Sequence, residues 1–175
     1  MSFSQTALKL LWENLLFLGF ASSFLAIVGW AWRDAKPYSL PEPLPAWFKV
    51  WFGTVQIGGG IVPLLVLLLW GGWWGYTSVS VVLVPYLVML GLQILSEHLT
   101  LRQFQSVVWV MVPYLYVPYR VWQLYEGWTL LTPESEPIGF ETLLLVEIVL
   151  WIGNYALDLA QLPRLLRWET KTETE

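Results

Sequence analysis

The stretch IGFETLLLVEIVLWIGNYALDLAQL, residues 138–162, decides the fold class of this chain. Its length predicts a helix able to cross the roughly 30 Å hydrocarbon core of a bilayer, since such a helix needs only about 20 apolar residues. Glu147, Asn154 and Asp158 stand inside this otherwise almost entirely apolar run. At 100° per residue, their spacing brings all three within about 20° of one helix stripe. An acid, an amide and a second acid on one face do not sit against lipid. The stripe therefore predicts a polar interior, a cavity or a partner subunit.

Composition agrees with a membrane protein. The 175 residues are 57% hydrophobic and 13% charged, against about 25% charged residues in an ordinary soluble domain. Several further apolar segments of near-spanning length leave too little polar surface for a soluble helical core. The net charge of −4 carries no nucleic-acid footprint. Cysteine is absent, which excludes disulfides, thiolate chemistry and cysteine metal sites, and a single histidine makes no metal site. The N-terminal segment lacks a small-residue cleavage site and reads as the start of a retained helix.

Working outward, the sequence predicts an all-α, polytopic helix bundle with five transmembrane helices over residues 10–32, 46–70, 76–96, 104–124 and 138–162. Residues 46–52, AWFKVWF, form an interfacial aromatic segment before the second span. Gly58, Gly59 and Gly60 followed by Pro63 predict a kink or a close helix contact. Residues 1–168 form one domain, and 169–175 a disordered polar tail. Most tryptophans fall at or beyond the proposed helix ends, as in an interfacial aromatic belt, with Trp109 and Trp151 internal. A four-span alternative makes one proline-bearing segment re-entrant.

Arg33, Lys36, Lys49, Arg102, Arg164, Arg167 and Lys171 share one side of the five-span arrangement. Lys9 and Arg120 approach the other. The positive-inside rule then places the N-terminus outside and the C-terminus on the cytoplasmic or an equivalent face.

Glu147 is the first candidate anchor for a ligand amine or hydroxyl, or an acid for proton transfer. A structural interhelical hydrogen bond is the competing reading. Asn154, Gln56, Tyr86 and Tyr114 supply further orienting groups for an apolar pocket. Asp158 is expected to pair with Arg102, His98 or Arg164. Glu97, His98 and Arg102 make a second constellation at the turn between spans three and four, open to a proton-relay or a structural reading. Arg120, near the outer end of span four, is expected to meet Glu141 near the outer end of span five. No residue set forms a nucleophile with its base, a phosphate cradle or a metal triad.

EPLPAWFKVWF at 42–52, SEHLTL at 96–101 and VPYLYVPY at 112–119 occur in an order that resembles the EXPERA family of emopamil-binding and sigma-2-receptor-like membrane proteins. The resemblance implies a compact helical protein with an apolar ligand cavity, and some members isomerise sterol double bonds. Where it expects a glutamate early in the second span, this chain has Val55 with Gln56 beside it. Asp34 stands nearest to the acid expected at the end of the first span. Ligand binding survives these departures better than isomerase activity does.

The expected function is binding of a small apolar or amphipathic ligand, sterol-, terpenoid- or pigment-like, with membrane lipids or such a molecule as partner. The alternative is an accessory or assembly subunit of a larger membrane complex, or a homo-oligomer. A membrane-embedded isomerase is the third reading. The sequence leaves the cofactor open.

Overall fold

The computed structural model describes residues 3–38, 45–131 and 137–165. Its helices are α1 (Phe3–Ala31), α2 (Ala46–Trp73), α3 (Thr77–Phe104), α4 (Val108–Thr129) and α5 (Phe140–Leu165). The expected polar tail and most of the loop before α5 lie outside the described residues.

The connections follow from local chemistry. Arg33, Asp34 and Lys36 end α1, and Pro37 cannot continue it. Between α2 and α3 the chain reverses through Gly75 at φ +72, and Gly139 at φ +92 precedes α5. Both conformations favour glycine. The turn from α3 to α4 instead uses Gln105 at φ 51. Its carbonyl accepts a hydrogen bond from the Tyr38 amide at 2.9 Å, which ties the segment after α1 to this turn.

Helix α2 is continuous from the aromatic lead-in onward, so residues 46–52 form its first turns rather than a separate element. It is π-helical at Ile57–Ile61 and again at Leu67–Trp73. The first π segment contains the three consecutive glycines. A Cβ on Gly59 would run into the Trp151 ring, and one on Gly58 would meet Leu150. The expected close contact is therefore made, between α2 and α5.

Helices α1, α2, α3 and α5 each contain a segment long and apolar enough to cross a membrane. The sequence expectation of five such spans is thus reduced to four on apolarity. Helix α4 differs because its 22 residues include Pro113, Pro118, Arg120 and Gln123. It packs between α3 and α5, and α1 also touches it. Val112, Tyr116, Val117, Arg120, Gln123 and Leu124 are all buried. A helix surrounded by protein on most sides need not be apolar all round.

Two apolar clusters hold the bundle. Val82, Leu83 and Tyr86 of α3 pack with Val117 and Leu124 of α4, Phe140, Leu144 and Trp151 of α5, and Val55 of α2. Ala21 and Leu25 of α1 pack with Met89, Val108, Val112 and Tyr116. Phe17 stacks on Tyr119 at 3.9 Å and meets the edge of Tyr116 at 5.1 Å. Much of the outward surface is apolar, including Leu16, Phe20 and Ile27 on α1.

The boundaries of α3 and α4 revise one expectation. Phe104 ends α3 rather than opening α4, so Glu97, His98 and Arg102 lie on the last turns of a helix and not in a turn. Continuation of α4 to Thr129 also moves Arg120 about two and a half turns inward from the helix end.

Candidate functional site

The interior polar group is centred on Arg120, which α4 directs between α3 and α5. The side chain is 1% exposed. One Nη2–H donates to Gln93 Oε1 at 2.6 Å, and Gln93 Nε2 donates to Glu97 Oε1 at 2.8 Å. The guanidinium lies over the Trp151 ring at 4.1 Å from its centroid, with the Tyr86 ring at 5.8 Å. Such contacts stabilise a desolvated cation by about 0.5–2 kcal/mol. Aromatic faces leave the in-plane N–H groups unused. Nε and Nη1 of Arg120 are buried and have no hydrogen-bond partner among the described residues.

Glu147 is also 1% exposed and lies, with Glu97, within electrostatic reach of Arg120. Neither carboxylate forms an ion pair with the guanidinium; Lys9 pairs with Glu13 and Glu126, and Arg33 with Asp34. Tyr86 links the remaining groups. Its hydroxyl accepts from Trp151 Nε1 at 2.9 Å and donates to the Gly59 carbonyl at 2.5 Å. Glu147 Oε2 stands farther away, at 3.4 Å. A hydroxyl carries one proton, so the shorter bond takes it and Glu147 keeps acceptor capacity.

The predicted α5 stripe serves several neighbours. Glu147 faces the Tyr86 and Arg120 group, whereas Asn154 Oδ1 accepts from Trp51 Nε1 at 3.2 Å. Asn154 Nδ2 donates to Asp158 Oδ2 at 3.3 Å. Asn154 and Asp158 are half-buried. Tyr114 bonds to the backbone carbonyl of Asp158. The expected pairing of Asp158 with Arg102 or His98 is not formed, because both of those side chains are exposed. The Arg164 side chain lies outside the described part.

The expected Arg120–Glu141 pair is also replaced. Arg120 turns inward to Gln93, and exposed Glu141 accepts from Trp128 Nε1 at 3.0 Å. Asp34 is exposed beside Arg33, at 3.5 Å. Gln56 is exposed on the outer face of α2, where its neighbour Val55 is buried. The structure therefore brings Glu147 and Tyr86 together with Arg120 and Glu97. It leaves Gln56, Asp34, His98 and Arg102 at the surface.

Trp151 and Gln93 complete the group; the sequence offers Gln93 as neutral hydrogen-bonding capacity inside the third span, whereas Trp151 reads there only as an internal tryptophan. Tyr86, Gln93 and Glu97 have the same residue spacing on α3 as Glu147, Asn154 and Asp158 on α5. The periodicity test that selected the α5 stripe would have selected this one. A second polar seam joins α1 to α4, where Asn14 Oδ1 accepts from Tyr119 at 2.8 Å and Gln123 at 2.9 Å. An open cleft of about 360 Å³ lined by Trp70, Trp74, Tyr76, Pro137 and Ile138 lies at the other end of this face, more than two helical turns from Glu147. No group of metal ligands occurs among the described residues.

Comparison of the chain with protein-family models, curated proteins and solved structures gives no match.

Proposed function

We propose that this membrane protein binds an apolar ligand carrying a hydroxyl group, such as a sterol or terpenoid alcohol, with the hydroxyl held between Arg120 and Glu147. The observation that carries this reading is the two donor nitrogens, Nε and Nη1, left without a partner on a fully buried guanidinium. Leaving such donors unsatisfied costs about 1–3 kcal/mol each, and more for a charged group. Glu147 supplies the complementary acceptor. An alcohol accepts from the cation and donates to the carboxylate, so it joins both without changing the charge of the site. The EXPERA-like segments support the same ligand class.

Acid–base isomerisation fits less well. Glu97 is already hydrogen-bonded to Gln93, and His98 is exposed on the outside of α3. A proton donor and acceptor opposed across one substrate are not assembled from them.

Saturable binding of a fluorescent sterol to the protein in lipid nanodiscs tests the proposal. Replacing the sterol hydroxyl by a methyl ether removes its donor to Glu147 and should weaken binding about 10- to 100-fold, the worth of a hydrogen bond to a charged group. Equal binding of the alcohol and the ether, or no saturable binding of either, would overturn it.

We further propose that α4 is a fifth crossing, which puts the termini on opposite faces, with the C-terminus cytoplasmic. Support comes from its antiparallel run along α3, where Gly127 meets Val82 and Tyr116 meets Ser96. Its neighbours shelter Arg120 from lipid. Because the chain has no cysteine, single introduced cysteines near Ser2 and Thr174 report topology cleanly. Labelling of the two from opposite sides is expected, and labelling from one side would leave four crossings.

An accessory-subunit role draws its support from the broad outward apolar faces of α1 and α2. Cross-linking in native membranes tests it: reproducible linkage to one other protein is expected, and its absence would count against this second reading.

A further inference from the structure

The exposed surface of α2 carries a polar side chain, Gln56, that the ligand site does not use; exposed Thr54 differs in that its hydroxyl donates to the Val50 carbonyl of its own helix. Gln56 is exposed, and its amide has no hydrogen-bond partner among the described residues. Its depth follows from its neighbours on the same helix. Trp51 is level with Asn154, and Gly59 is level with Trp151 and Tyr86. Gln56 thus lies at the level of the middle of α5, which runs from Phe140 to Leu165, and about 15 Å from the start of α2. The side chain is too short to reach the membrane interface from there.

Lipid tails offer no partner to an amide, which carries two N–H donors and one carbonyl acceptor. At helical spacing Gln56 shares its face with Phe52 and Gly53. Phe52 is 54% exposed, and a Cβ on Gly53 would have nothing within 4 Å. The surface therefore offers an aromatic contact, room for close backbone approach, and an amide in one patch.

We propose that this face of α2 is the interface with a second copy of the same chain, the two Gln56 amides bonding to each other across a two-fold axis normal to the membrane. Three features select that occupant. Two copies inserted with the same orientation carry Gln56 at the same depth. A two-fold axis along the membrane normal then brings the two side chains face to face. An amide is both donor and acceptor, so two identical ones satisfy each other reciprocally, which two carboxylates or two ammonium groups do not. The interface is centred about 100° round α2 from buried Val55 and does not depend on what Arg120 binds.

Self-association is measured by two-colour single-molecule colocalisation of the full chain across a series of lipid dilutions. Gln56→Leu should weaken the dimer about tenfold, the effect of two interhelical hydrogen bonds of average strength. Gln56→Asn should retain part of the affinity. The position faces outward, so helical content and thermal unfolding should match the wild type. As a second readout, Phe52→Cys, with Gln56 retained, should form a disulfide-linked dimer on oxidation in native membranes, whereas Phe20→Cys on α1 should not. A wild-type chain that is monomeric at every lipid dilution would overturn the proposal. So would undiminished dimerisation of Gln56→Leu, or cross-linking of Phe52→Cys only to a different protein.

Discussion

Gly59→Ala tests the α2–α5 contact with a single added carbon. Replacing a helical glycine by alanine gains up to about 1 kcal/mol from backbone entropy and propensity. At Gly59 the new Cβ would overlap the six-membered ring of Trp151. That ring cannot swing aside easily, because its Nε1 is bonded to Tyr86 and its face lies against Arg120. Overpacking costs about 1–3 kcal/mol, and against a ring pinned on two sides the clash falls in the upper part of that range, so after the propensity gain the net loss is about 1–2 kcal/mol. Gly91, on α3, provides the control, since a Cβ there would meet nothing within 4 Å. Gly91→Ala should be neutral or stabilising by up to about 1 kcal/mol. Reversible unfolding in mixed micelles, followed by circular dichroism, measures both. Trp151→Phe removes the ring atoms that collide, so the double variant Gly59→Ala/Trp151→Phe should be less destabilised than the sum of the single variants by about 1 kcal/mol or more. Additive single effects, or equal stabilisation by Gly59→Ala and Gly91→Ala, would refute the packing argument.

Two other substitutions probe separate parts of the structure. Tyr86→Phe strips the acceptor from buried Trp151 Nε1 and the donor from the Gly59 carbonyl. A loss of about 1–2 kcal/mol is expected in the same unfolding assay, from two interhelical bonds of about 0.6 kcal/mol each plus part of the cost of an orphaned donor; a change within about 0.3 kcal/mol would show that the hydroxyl links nothing of consequence. Gln105→Gly should raise stability by about 0.5–1 kcal/mol, because a left-handed conformation costs a non-glycine residue about 1–2 kcal/mol and the entropy of glycine offsets part of the gain. Thermal unfolding decides that case, and a destabilised variant would mean that the Gln105 side chain contributes more than its backbone strain costs.

The helical membrane class was legible because length and apolarity leave few alternatives for segments such as residues 138–162. Helix α4 was legible in sequence with its start and end displaced by four and five residues, and it is less apolar than the other four helices. Its neighbours supply the apolar environment that a lipid-facing helix must supply itself, and hydropathy sees only the helix. Glu147 was correctly singled out as buried, since a carboxylate in such a run has no comfortable lipid-facing position. Its partners were not. Which polar stripe meets which depends on helix rotation and register. A shift of the α4 end from Leu124 to Thr129 was enough to turn Arg120 from a rim charge facing Glu141 into the centre of the interior group. Gln56 illustrates the converse. Its neighbour Val55 takes the inward direction, and one residue along a helix is a rotation of about 100°.

An experimental density map of the full protein purified in native lipid tests the ligand site most directly. A non-protein density is expected, with an elongated apolar body and a polar end within hydrogen-bonding distance of both Arg120 Nε or Nη1 and a Glu147 carboxylate oxygen. The same density should be lost in Arg120→Gln while the helices keep their arrangement. A direct Arg120–Glu147 ion pair, or an isolated water in that position with no ligand beside it, would rule out the proposed ligand site.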